Sequence, residues 1–129
     1  MKRLLPCSLL FLIACSSVDQ KKFESLYRAA KEIETISYYN QMPTALELVR
    51  KLQTEVSIGL DRASTEAERN MLTFYSNGAH MLRLALTQFE IEMLGPADKI
   101  DFKSPRSSTN LWHNGVEQLR AAEQLYLGK

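Results

Sequence analysis

Apolar residues recur at steps of three and four along four stretches of this chain, the spacing of helices that each bury one face. Phe23, Leu26, Tyr27, Ala30, Ile33 and then Ile36 or Ser37 form the first stripe and predict a helix from about Val18 to Tyr39. Ser17 with Gln20 three residues on has the capping-box spacing, so the helix is expected to start there. Asn40-Gln41-Met42-Pro43 breaks the pattern, with Pro43 suited to the first position of a second helix. That helix carries Ala45, Leu46, Val49, Leu52 and Val56 on one face and is expected to stop near Ile58, ended by Gly59. Thr65 and Glu68 repeat the capping-box spacing and open the longest stripe, about Glu66 to Leu94, closed by Gly95-Pro96.

The third stripe runs through Ala67, Met71, Phe74, Gly78, Leu82, Ala85 and Phe89, widened by Leu72, Tyr75, Ala79, Leu86 and Met93. At 1.5 Å per residue it predicts a helix roughly 43 Å long. Asn77-Gly78 is a turn signal that would split it. Gly78 nevertheless falls in register on the apolar face, which favours an unbroken helix and a close helix contact at that point. Gly115 occupies the same kind of position in the last stripe, with Trp112, Leu119, Ala122 and Tyr126, so the third and fourth helices are expected to cross near the two glycines. Residues 96–107 form the one long irregular connection, and Ile100 and Phe102 are expected to pin it to the body. The pattern predicts an all-α, four-helix bundle-like single domain with a long third helix and a crossover loop before the last.

The start of the chain reads differently. Met1-Lys2-Arg3 is followed by an apolar run from Leu4 to Ile13, the length of a signal h-region and short of a membrane span. Leu12-Ile13-Ala14-Cys15 resembles the lipobox of bacterial lipoprotein precursors. The resemblance covers about the first 17 residues and implies that residues 1–14 are cleaved, that Cys15 is lipidated, and that residues 15–129 form a membrane-anchored domain. By the same resemblance, Ser16 after the lipidated cysteine favours the outer membrane. The hairpin from Phe23 to Val56, with Ala30 and Ala45 at its closest contacts, is similar to a tetratricopeptide unit. No second copy recurs at a period near 34 residues and the W-x-x-L-G-x-x-Y signature is missing, which sets a repeat array aside.

Charge and cysteine content then narrow the function. Loss of Lys2 and Arg3 with the signal would reduce 16 basic residues to 14 against 15 acidic ones, a net charge of −1. No basic stripe marks a nucleic-acid binder. Cys7 lies in the signal and Cys15 would carry lipid, so the domain has no thiol for a disulfide, a metal or catalysis. His80 and His113 belong to no ligand motif; His113 and Glu117 share a helix face but supply two ligands where a metal needs three or more. Met71, Met81 and Met93 are read as core filling, and no C-x-x-C-H sequence attaches a haem. No nucleophile elbow or phosphate loop occurs, so neither catalytic residues nor a cofactor are expected. Tyr38 and Tyr39 are adjacent and cannot both face the core, which makes this pair the candidate partner contact. The sequence thus points to a non-enzymatic envelope lipoprotein that binds another protein as an adaptor or accessory subunit. A small-ligand or lipid-binding helical module is the alternative, distinguished by an enclosed cavity instead of an exposed apolar patch.

Overall fold

The four stripes fold as four helices in the computed structural model, which describes residues 17–96 and 100–129. The expected signal segment and Cys15 lie outside the described residues. A 3-10 turn at Gln20–Phe23 leads into α1 (Glu24–Glu34), which is followed by α2 (Met42–Arg62), α3 (Glu66–Leu94) and α4 (Ser108–Tyr126). Among the described residues there is no strand, and the domain is all-α and bundle-like. Each helix packs on the next, and α4 returns to α1. Tyr27 stacks on Tyr126, Lys31 reaches Glu123, and Arg120 reaches Glu34, a register in which α1 and α4 run in opposite directions. α3 packs on its antiparallel neighbour α4 as by far the most extensive helix pair.

The core follows the predicted faces. Leu26 and Ile33 of α1, Val49 and Leu52 of α2, Met71, Leu72, Leu82 and Leu86 of α3, and Leu119 of α4 are all buried. Burying each such side chain contributes about 1.5–3 kcal/mol before conformational entropy is counted. α3 continues without interruption through Asn77-Gly78. A Cβ added at Gly78 would sit 2.7 Å from Leu119 Cδ2 and 3.0 Å from the Gly115 carbonyl oxygen; one added at Gly115 would sit 2.8 Å from Leu82 Cδ2 and 3.2 Å from the Gly78 carbonyl oxygen. The two helices therefore cross where both side chains are missing, as their register predicts.

Several boundaries differ from the sequence reading. The 3-10 turn that leads into α1 is capped by Asp19, whose side chain accepts from the Lys21 amide, and not by Ser17, and α1 itself starts only at Glu24. It ends at Glu34, because the Thr35 amide and hydroxyl both turn back to the Glu32 carbonyl, leaving Ile36 to Gln41 as a connection. Gly59 does not end α2. The helix runs on to Arg62, and Gly59 is buried where Leu72 and Phe23 approach it, a packing role with the same sequence signature as a helix stop. Phe102 is exposed and pins nothing, whereas Ile100 is half-buried. The connection is held instead by polar contacts, with the Asn110 side-chain amide donating to the carbonyls of Phe102 and Ser104 at 3.3 and 2.7 Å.

Candidate functional site

A buried glutamate closes each end of the bundle. Glu68, on the first turn of α3, is 1 % exposed. Its carboxylate accepts from the Asp19 amide at 2.9 Å, the Ser64 amide at 2.9 Å and Lys22 Nζ at 2.7 Å. Lys22 uses its remaining protons on the Arg62 carbonyl and the Ser64 hydroxyl, both at 3.0 Å. Burial pushes the Glu68 carboxyl up. The Lys22 hydrogen bond, the two backbone amides and the Lys22 charge outweigh it and bring the pKa down to about 2. This node ties the N-terminal turn, the end of α2 and the start of α3 together. Thr65 caps α3 by accepting from the Glu68 amide, as the spacing predicts, but the Glu68 carboxylate reaches Ser64 and Asp19 instead of closing back on Thr65.

At the far end, Glu92 on the last turn of α3 accepts from the Ser108 amide at 2.9 Å and the Ser108 hydroxyl at 2.6 Å, so it satisfies orphan donors at the start of α4. Since Ser108 donates its proton to Glu92, the hydroxyl of Tyr38, 3.1 Å away, donates to Ser108. The Tyr38 ring stacks on Trp112 with centroids 4.8 Å apart and meets Phe89 and Tyr39 edge-on at 5.3 and 5.4 Å. The first connection is thereby locked against α3 and α4 by one side chain.

The structure separates the predicted contact pair. Tyr38 is buried in this cluster, while Tyr39 is 60 % exposed beside it. Tyr39 forms the rim of a depression of about 190 Å³ together with Met93, Ile100 and Phe102, over a floor of Phe89, Tyr38 and Ser108. A second depression of about 330 Å³, lined by Ile36, Trp112, His113, Val116 and Arg120, shares Tyr38, Tyr39 and Thr109 with the first. Both open to solvent. Phe102 is 60 % and Met93 65 % exposed. With about 200 Å² for a complete aromatic side chain, the exposed rings of Tyr39 and Phe102 offer roughly 120 Å² each, and with Met93 the rim presents on the order of 350 Å². That lies within the range for the largest patch on an ordinary monomer, about 300–600 Å², and such patches mark interaction sites.

Comparison with protein-family models, with curated proteins and with solved structures gives no match. Function must be read from the chemistry of this surface. His80 is exposed in a separate shallow depression next to Val56 and Leu60 on the α2–α3 face. His113 lines the far-end depression, and Glu117 is engaged by Arg120 at 2.9 Å. Among the described residues no three His, Cys, Asp or Glu side chains are grouped to hold a metal ion. Glu92 is saturated by its donors, which fits a positioning role and not that of a general base. Among the described residues no helix is long and apolar enough to cross a membrane.

The exposed apolar residues at the end of α3 had a signal in the sequence that periodicity alone passed over. Ile91, Met93 and Leu94 are three apolar residues within four at a helix end, and four successive residues sweep most of a helix circumference. Only one of them can face inward, and that one is Glu92.

Proposed function

We propose that the protein is a non-enzymatic cell-envelope lipoprotein, held in the membrane through Cys15 with the outer membrane favoured, that binds a second envelope protein as an adaptor or accessory subunit. The far-end patch of Tyr39, Met93 and Phe102 is the observation that carries this reading. An exposed apolar surface costs solubility and invites aggregation unless it has an occupant. Its open form suits a docking surface better than the small-ligand alternative, which calls for an enclosed cavity. Its position also suits an adaptor, because Ser17 lies at the opposite end of the bundle, beside Leu127 and Lys129. A lipid attached at Cys15 leaves Tyr39 pointing away from the bilayer. Tyr38 contributes from inside, by fixing the connection that presents Tyr39.

Affinity capture of the tagged, lipidated protein from its native envelope in mild detergent tests the proposal. The unaltered protein is expected to retain a stoichiometric partner that Tyr39→Ala with Phe102→Ser loses, at unchanged thermal stability. Equal capture by both forms removes the patch from the function. Cys15→Ala is expected to leave the membrane fraction, and its retention there would remove the anchor.

A further inference from the structure

Residues 17–20, which begin two positions after the expected anchor, are tied to the body. The Ser17 carbonyl accepts from the Thr65 hydroxyl at 3.1 Å and the Asp19 amide donates to Glu68. The Gln20 side chain donates to the Tyr126 carbonyl at 3.0 Å, and the Tyr126 hydroxyl donates back to the Gln20 carbonyl at 3.3 Å. Cys15 precedes Ser17 by two residues, so a lipid on its thiol is tied within about 7 Å of the first clamped residue. The clamp is built on the buried Glu68 carboxylate, which also holds the half-buried Lys22.

Resting on the lipoprotein reading above, we infer that the bundle stands end-on on its membrane, with the end formed by Ser17, Lys21, Arg62, Leu127 and Lys129 against the lipid headgroups. Leu127 is exposed at this end, and the long cationic side chains of Lys21, Arg62 and Lys129 are exposed as well, the composition that lets apolar stems enter an interface while charged heads stay wet. Asp61 and Glu66 at the same end offset the cations, so affinity comes from the lipid and this surface supplies orientation. The two walls built on α1 are unsuited to lying flat. The α1–α4 wall carries the Lys31–Glu34–Glu123 and Arg120–Glu117 pairs, and the α1–α2 wall carries Arg28–Glu24 and Lys51–Glu32. Standing on this end, α3 lifts the far-end patch about 40 Å above the headgroups. A partner is therefore one that presents its contact at that height.

Lipidated Leu94→Cys and Lys129→Cys proteins, each carrying one free thiol because Cys15 is acylated, test the inference in vesicles of phosphatidylethanolamine and phosphatidylglycerol. Mass spectrometry first establishes acylation; its absence would overturn the lipoprotein reading itself. Energy transfer from a dye on each thiol to headgroup acceptors is expected to place position 129 near the surface and position 94 some 40 Å away. Equal distances in acylated protein would mean that the bundle lies flat and would overturn the end-on orientation. Ten Gly/Ser residues inserted between Ser16 and Ser17 span roughly 18 Å and are expected to abolish the difference between the two positions. An unchanged difference would show that the short clamped tether does not set the orientation.

Discussion

Glu68→Gln keeps the shape of the side chain and removes the charge that holds the N-terminal turn to α3. The depression of the Glu68 pKa from 4.5 to about 2 measures how much better the folded protein holds the carboxylate than the acid. At about 1.4 kcal/mol for each pKa unit, that difference comes to about 3 kcal/mol, against a total of roughly 5–15 kcal/mol for a domain of this size. The folded pKa lies below the unfolded one, so the contribution is complete above about pH 5 and is lost as the pH falls toward 2. Urea unfolding of residues 17–129, followed by helical circular dichroism at pH 7, 4, 3 and 2, reads both effects. Glu68→Gln is expected to lose about 3 kcal/mol at pH 7, since it leaves Lys22 partly buried without its counter-charge, and to show a flatter acid limb than the parent. Equal stabilities at pH 7, or the same acid limb in both proteins, would refute the reasoning.

Gly78→Ala is expected to destabilise by about 1–2 kcal/mol, because the new methyl meets the Gly115 carbonyl as well as Leu119, and overpacking outweighs the better helix propensity. Gly59→Ala meets the flexible tip of Leu72 and is expected to stay within about 0.5 kcal/mol of the parent in the same urea assay; an equal loss at both sites would contradict the distinction. Tyr75 is buried, its hydroxyl has no hydrogen-bond partner among the described residues, and burial raises its pKa, so it stays protonated. Tyr75→Phe is expected to stabilise by about 1 kcal/mol, and a loss of that size would reveal a partner for the hydroxyl. Tyr38→Phe is expected to cost about 1 kcal/mol through the lost donation to Ser108, whereas Tyr39→Ala leaves the melting temperature unchanged and acts only on partner capture.

Helix identity and the glycine crossing were legible because both are written in a single period. Phe74, Gly78, Leu82 and Ala85 keep one face through a local turn signal, and the register overrode the Asn-Gly pair. Gly59 was not legible, since a glycine after an apolar run looks alike whether it ends a helix or lets another side chain in. The distinction lies in Leu72 and Phe23, which reach it from elsewhere in the chain. The two closing glutamates were hidden for the same reason. Glu68 reads as a local cap, yet its partners include Asp19 and Lys22, more than 40 residues away. Adjacency required one of Tyr38 and Tyr39 to be exposed; only the positions of Phe89, Trp112 and Ser108 decided which.

The extensive packing of α3 on α4 also sets an order of events during synthesis. These helices are neighbours in sequence, share the crossing at Gly78 and Gly115, and are joined by the Glu92–Ser108 cap, so their hairpin gains the most packing, and its longer connection adds little closure cost because that cost grows only slowly with length. The ribosome makes it last. Until residues 66–126 have emerged, α1 and α2 have no complete surface on which to bury Leu26, Ile33, Val49 and Leu52. The first half of the chain is the half that waits for its burial partners.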